Sequence, residues 1–360
     1  MKYLIYIGPG IGDFMLVLPT LKVIKSNDSD AYIKLFTRSD RNRIKITKEL
    51  LKMTNFVDCI DYYNVSERLH LLKFIINLFI KRFDYGICVQ YVDNNTTSIY
   101  PSKIVNVGAK RTIGTEVKST PKIKFDYTIK REEHKHITEY FKEIIEKIGI
   151  ERNMLTNIDC SNLLNRSILK EKLLDLNLNI NTEKVIAVCI GTGEVSIKIN
   201  KKNNSMDLKS WSYKSWIELT NILLANDKNI TVILLGGVKE ARKIENFKLY
   251  PTDNIINLIG KLTIIESIAV IEKANVIVGA DTGLMHCAGI LNKPCITLFG
   301  CTDYKEYLPY GENSHYIVSH EKCSPCFGTE NMIMCKDKKC MKNITVDMVY
   351  NKIKEILNEK

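Results

Sequence analysis

Residues 275–299 read NVIVGADTGLMHCAGILNKPCITLF, and their alternation of apolar runs and breaks decides the fold. Asn275–Val278 reads as a short buried strand that ends at Gly279, Leu284–Leu291 as a helix, and Cys295–Phe299 as a second buried strand. Asp281 and Thr282 are side chains that suit a helix N-cap, and Gly283 lets another group approach the backbone closely. Two buried strands joined through a helix are the unit of a parallel sheet. The unpaired N–H groups of the first helical turn, together with the helix dipole, suit an anion. Gly279–Pro294 is therefore read as an anion cradle, although an ordinary capped strand-to-helix turn fits the local pattern equally well. Asp281 would repel an anion if it pointed inward, so it is expected to cap the turn or to hold ligand hydroxyls.

The same alternation extends in both directions. Upstream lie strands over Lys184–Ile190, Ile230–Leu235 and 255–258. They are separated by helices over Tyr213–Asn226, Lys239–Phe247 and Ile264–Lys273. Thr345–Leu357 has the spacing of a closing amphipathic helix. In the first half, strands are expected over Tyr3–Ile7, Ala31–Thr37 and Asp84–Gln90, with one more short strand and its turn over 104–107 and 111–114. Helices are expected over Phe14–Lys25, Leu69–Lys81 and Lys135–Ile148. The polar stretch 151–182, with a short helix around Ile168–Leu176, separates two such series. The expected architecture is α/β: two doubly wound parallel-sheet domains facing a central cleft, over 1–160 and 161–344, and a C-terminal helix over 345–360. Asn200–Ser205 reads as a loop.

With 360 residues, 45% hydrophobic and 26% charged, the chain has the profile of a globular protein with two cores. The apolar run after Met1 is too short for a secretory signal, so the expectation is a cytoplasmic protein with reduced thiols. Leu69–Ile80, broken by His70, Lys73 and Asn77, falls well short of the ~20 residues of a spanning helix. It reads either as a buried helix or, because Lys81 and Arg82 follow it, as a helix lying on a membrane surface. Net charge is +11, of which +7 falls in residues 1–160 (26 Lys and Arg against 19 Asp and Glu). That excess favours acidic partners, such as a phosphorylated glycolipid or an anionic membrane face. No nucleic-acid motif accompanies it, and no nucleic-acid partner is expected.

Two further stretches carry candidate chemistry. In Gly8–Pro19, GPGIGDFMLVLP, a glycine-rich turn follows the first strand and Asp13 opens the next helix. Asp13 either caps that helix or serves as a general base on an incoming hydroxyl. The other stretch contains Cys323, Cys326, Cys335 and Cys340, spaced C-x2-C-x8-C-x4-C. A structural zinc or iron site, free thiols and disulfides all fit that spacing. The remaining cysteines sit mostly in apolar runs and read as small hydrophobes.

Taken together, these stretches resemble glycosyltransferase family 9, the bacterial heptosyltransferases of the lipopolysaccharide inner core. The resemblance runs through Gly12, Asp13, Leu16 and Pro19, then Lys209, Trp211 and Trp216, then Gly236, Gly237 and Glu240. It ends with Asp281, Thr282, Gly283, His286, Ala288, Pro294, Leu298, Phe299, Gly300 and Pro309. It implies the GT-B architecture of two Rossmann-like domains and an inverting transfer of heptose, or a related sugar, from a nucleoside-diphosphate donor. By family precedent the donor is ADP-heptose, and the acceptor a lipopolysaccharide or lipooligosaccharide core at the cytoplasmic face of the inner membrane. Asp13 then matches the catalytic base and Lys209 the cation that neutralises the departing diphosphate, with Lys198, Lys201, Lys202 and Lys214 as nearby competitors. Glu240 matches a ribose ligand, and Thr282, Gly283 and Leu284 match the amides on the diphosphate. Thr192, Asp281 and His286 lie at the same donor edge. Gly12, Lys110, Arg111 and Lys122 fall on the acceptor side, the basic residues on charge alone. The chemistry implied needs no metal. A family 9 transferase acting on a protein or another glycan, and a sugar-nucleotide epimerase of the same fold, are the alternatives.

Overall fold

The computed structural model describes residues 1–40, 44–89, 99–116, 124–151, 154, 162–180, 182–192, 196–198, 205–244 and 252–358. The chain divides into two compact units, Met1–Leu164 and Asn165–Lys360.

In the first unit the strands are β1 (Lys2–Tyr6), β2 (Tyr32–Arg38), β3 (Cys59–Tyr63), β4 (Phe83–Cys88), β5 (Ala109–Thr115) and β6 (Tyr127–Ile129). The helices are α1 (Ile11–Asn27), α2 (Ile44–Leu51), α3 (Arg68–Ile80), α4 (Ile99–Gly108) and α5 (Ile137–Lys147). The sheet order is β3-β2-β1-β4-β5-β6 and every pair is parallel. The strand order reverses between β1 and β4, and ligands of open α/β sheets collect at the carboxyl ends beside such a point. Gly8–Asp13 follows β1 directly, so this turn stands at the switch point.

The stretch 104–107 is helical, not a strand. Pro101, Ile104, Val105 and Gly108 recur at helical spacing and all lie on the buried side of α4, so burial of one face outweighs the β-branched composition. The strand β3 escapes an apolar-run reading because Asp61 interrupts it. That carboxylate is neutralised across the sheet by Lys34 Nζ at 3.1 Å.

In the second unit β7 (Lys184–Cys189), β10 (Ile230–Leu235), β11 (Ile255–Asn257), β12 (Val276–Ala280), β13 (Cys295–Leu298) and β14 (Ser314–Ile317) form a sheet ordered β11-β10-β7-β12-β13-β14, again wholly parallel. A separate hairpin pairs β8 (Ser196–Lys198) with β9 (Ser205–Asp207). The main helices are α6 (Arg166–Asp175), α7 (Tyr213–Asn226), α8 (Val238–Ile244), α9 (Ile264–Lys273), α10 (Gly283–Ile290) and α11 (Val346–Asn358). Val349, Ile353 and Ile356 of α11 join Trp211, Trp216 and the strand residues in one buried cluster. In this unit the switch point lies between β7 and β12.

Among the described residues, no helix is long and apolar enough to cross a membrane.

Candidate functional site

The sheet of the second unit fixes where its site must be. Gly279 on β12 stands level with Cys189 on β7, so Gly191–Thr192 and Asp281–Gly283 leave the sheet side by side. A Cβ on Gly279 would meet Met285 Sδ at 2.7 Å and Cys189 Cβ at 2.9 Å, which is why this turn takes no larger residue. Gly279→Ala is expected to cost about 1–3 kcal/mol by overpacking, read as a lower midpoint in chemical denaturation.

Thr282 is the N-cap of α10, in extended backbone conformation and without a side-chain cap bond. Thr282 O accepts from the Met285 amide at 3.1 Å, while the amides of Gly283 and Leu284, the first two of α10, precede any intrahelical acceptor and gain none from the Thr282 side chain. Asp281 does not cap the turn. Its Oδ2 accepts from Lys209 Nζ at 2.6 Å, its Oδ1 lies 3.7 Å from His286 Nε2, and its side chain is 7% exposed against 17% for Lys209. Burial works to raise this carboxyl's pKa, but Lys209 and His286 outweigh it and hold the group well below the usual carboxylate range. The carboxylate is thus neutralised by a cation that it anchors beside the helix N-terminus. Thr282 Oγ1 and His286 Nδ1 are buried at this turn with no hydrogen-bond partner among the described residues. A buried polar atom is stabilised when a ligand or water completes its bonding.

The loop carrying Lys209 is held from several sides. Asp207 accepts from the Lys209 amide at 3.1 Å, a side-chain turn, and also accepts from Thr192 Oγ1. Trp211 and Trp216 pack edge to face, 4.7 Å between ring centres, and the Trp211 indole N–H donates to Ile344 O at 2.9 Å. Both tryptophans are core residues that fix the loop. The lysine ammonium lies 5.5 Å from the centre of the Phe327 ring.

Lys338, which sequence reasoning missed, donates to Asp207 O at 2.9 Å, Ser210 O at 2.6 Å and Ser210 Oγ at 2.7 Å. Burial lowers its pKa. Nothing in KDKKC marks Lys338 apart from its neighbours; only the tertiary packing does. Lys338→Met removes the donor from two carbonyls and is expected to destabilise the second unit by about 1–3 kcal/mol, measurable by urea unfolding.

Of the other lysines that compete for the role of Lys209, Lys214 is exposed on α7. Lys201 and Lys202 lie outside the described residues, as does the side chain of Lys198.

Glu240 stands in the first turn of α8, beyond the carboxyl end of β10, where its Oε2 accepts from the Gly237 amide at 2.9 Å. Cβ atoms built on Gly191 and Gly237 would come within 3.4 Å and 3.0 Å of this carboxylate, so glycines clear the space around it. Thr192, Glu240, Asp281, Thr282, Gly283, Leu284 and His286 all sit at the carboxyl-end edge of one sheet, together with Lys209.

Residues 168–336, which contain all of these side chains, match the family model described as glycosyltransferase family 9 (heptosyltransferase). This part of the chain is a family 9 domain. The chain is 29% identical over 105 residues to lipooligosaccharide heptosyltransferase 2 of Haemophilus influenzae, covering 28% of this chain and 30% of that protein. It is 30% identical over 118 residues to lipopolysaccharide heptosyltransferase 1 of Salmonella typhimurium, covering 32% of this chain and 36% of that one. The chain therefore spans about a third of the length of these curated relatives. Over its whole length it superposes on the Escherichia coli ADP-heptose lps heptosyltransferase II at a TM-score of 0.69 and 18% identity. That alignment covers 100% of this chain and 99% of the other, and the likeness is one of fold.

Asp13 lies outside the family 9 match, in the first unit. It is the third residue of α1, and its Oδ2 accepts from the Gly10 amide at 2.9 Å. A Cβ on Gly8 would fall 2.4–2.6 Å from the Asp13 carboxyl atoms, so the glycine turn is shaped around this group. The carboxylate caps its helix and is half-buried at the switch point of its sheet.

Gly12 shares the first turn of α1, but Lys110 and Arg111 do not join it. They open β5, where Arg111 pairs with Tyr85 and Tyr85 with Tyr3, at the amino end of the sheet. Lys110 is paired with Asp84 at 2.9 Å, and Arg111 donates to Tyr85 Oη at 3.2 Å. Lys122 lies outside the described residues.

The C-terminal cysteines all have free thiols: Cys326 and Cys340 are buried, Cys335 is half-buried and Cys323 exposed. Burial, and then the neighbouring thiols, push Cys326 up to about 11. Among the described residues no group of three or more Cys, His, Asp or Glu is arranged to hold a metal ion. What this segment does visibly is pack: Cys326 and Phe327 donate backbone bonds to Cys301 O at 2.9 and 2.8 Å, and Leu208, Cys301 and Cys326 form one buried cluster beneath the Lys209 loop.

Proposed function

We propose that the protein is an inverting glycosyltransferase that moves a heptose, or a related sugar, from a nucleoside-diphosphate donor to a lipopolysaccharide-type core. The observation that carries this reading is the Lys209–Asp281 pair beside the open first turn of α10, at the switch point of the family 9 domain. A departing diphosphate gains negative charge as its bond to the anomeric carbon lengthens. A lysine ammonium and the amides of Thr282, Gly283 and Leu284 are cations and dipoles fixed where that charge develops. Glu240, in its space cleared by glycines, accepts hydrogen bonds from the ribose hydroxyls.

Asp13 takes the proton of the acceptor hydroxyl. The oxygen attacks the anomeric carbon from the face opposite the diphosphate, the carbon–diphosphate bond breaks, and configuration inverts. The relatives' names, heptosyltransferases of lipopolysaccharide and lipooligosaccharide, favour ADP-heptose as donor and a lipopolysaccharide or lipooligosaccharide acceptor.

The test is incubation with ADP-heptose and a heptose-deficient lipopolysaccharide. One ADP released for each heptose gained by the acceptor, read by mass spectrometry, is the expected result. ADP release without transfer to any acceptor, or transfer with retained configuration, would contradict it. Glu240→Ala is expected to weaken donor binding roughly 10-fold or more through lost ribose hydrogen bonds, while Glu240→Gln retains part of the affinity; calorimetric titration with ADP checks both. A structural zinc or iron ion on Cys323, Cys326, Cys335 and Cys340 is a separate proposal. Near-stoichiometric metal in the purified protein supports it, and metal-free, fully stable protein refutes it.

A further inference from the structure

Helix α3 is apolar on two sides, and the protein covers only one of them. Phe74 and Leu78 are buried in the core of the first unit. Leu69 (78% exposed), Leu72, Ile76, Phe79 (63%) and Ile80 (75%) all face outward. At 100° per residue these five fall within one arc of about 100° centred on Ile76, opposite Phe74 and Leu78.

Basic residues flank this arc. Arg68 and Lys73 are exposed on the helix and Lys81 and Arg82 follow it, while RLHLLKFIINLFIKR contains no acidic residue. The nearest carboxylates in sequence are engaged elsewhere. Glu67 accepts from Tyr62 Oη at 2.7 Å and from Asn64 Nδ2 at 3.1 Å, and Asp84 accepts from Lys110 and from the Lys2 amide.

We propose that the outer face of α3 is a membrane-docking surface that lays the first unit on an anionic lipid bilayer. Charge complementarity selects this occupant. Large apolar side chains flanked by Lys and Arg match the boundary between acyl chains and anionic headgroups. A second copy of the chain, docked about a two-fold axis, would set the same cations against one another. The +7 excess of residues 1–160 has the same sign. The helix lies in the interface plane, with its five outward apolar residues in the acyl boundary and Lys81 and Arg82 at the phosphates. This surface goes beyond the sugar-transfer reading and does not rest on it.

The experiment is flotation of the full chain with vesicles of phosphatidylcholine alone, or of phosphatidylcholine with 30% phosphatidylglycerol (~30%, enough for a surface potential of the physiological order), without donor or acceptor. Binding to the anionic vesicles, weakened by salt, is expected. The triple variant Leu69→Ser, Ile76→Ser, Phe79→Ser should lose on the order of 100-fold in lipid affinity, and Lys81→Glu with Arg82→Glu roughly 30-fold. All five positions are exposed, so both variants should unfold at the wild-type temperature. No vesicle binding by the wild type, or equal binding by wild type and triple variant, would overturn the proposal. So would a concentration-dependent dimer in sedimentation that the triple variant abolishes, because a second copy would then cover the face. Binding is read without turnover, so either reading can fail while the other stands.

Discussion

Asp281→Asn is expected to destabilise the second unit by about 3 kcal/mol, because it removes the carboxylate from a lysine that is itself largely buried. At the scale of such a unit this lowers the melting temperature by roughly 6–12 °C. The sign with pH follows from the direction of the shift. The carboxyl is held below the usual range in the folded state, so its contribution is present above the unfolded value and lost only as pH falls through the folded one. The difference between wild type and variant should therefore be constant from about pH 5 to 8 and shrink toward strong acid. Because the variant leaves a cation beside the open turn of α10, a nucleoside diphosphate should stabilise it at least as much as it does the wild type. A variant that melts with the wild type at neutral pH would remove the pair from the structural account.

The second large effect is expected at Asp13. Asn has nearly the same shape and keeps an oxygen that can accept from the Gly10 amide, so the cap and the glycine turn survive. What the substitution removes is basicity. Asp13→Asn is expected to reduce kcat on the order of 10²–10⁴-fold, with donor affinity and melting temperature nearly unchanged. Asp13→Ala should lose the cap as well, at a cost of about 1 kcal/mol. If Asp13→Asn turns over at the wild-type rate, Asp13 is a cap and nothing more.

How far the sequence alone could be read depended on whether the forces were local. Residues 275–299 announce their strand, turn and helix because apolar runs, N-cap residues and glycine all act within one unit, and the observed elements fall within a residue or two. The stretch 104–107 misled because β-branched residues on a helix resemble a strand until the buried face is known. The short β3 went unread because its Asp61 is neutralised from another strand.

The candidate site divides the same way. Asp13, Glu240 and Asp281 are visible as acidic residues after strands, but their partners are not. That Asp281 would turn from the cap to Lys209, and that Lys338 would thread the same loop, follows only from chain segments brought together by the fold. Charge alone grouped Lys110 and Arg111 with Gly12, whereas the strand register sets them at the other end of the sheet.

The central claim, that the turn at Asp281–Leu284 with Lys209 and Glu240 holds a nucleoside diphosphate, is tested most directly by thermal shift against a panel of nucleoside diphosphates. A ligand that binds only the folded protein stabilises it by RT ln(1 + [L]/Kd), about 2.7 kcal/mol at a hundredfold excess over Kd. The account predicts that one diphosphate, ADP foremost, raises the melting temperature of the wild type, and that Glu240→Ala sharply reduces the gain. If no diphosphate stabilises the wild type, or Glu240→Ala responds as the wild type does, the assignment of this turn to the donor is contradicted.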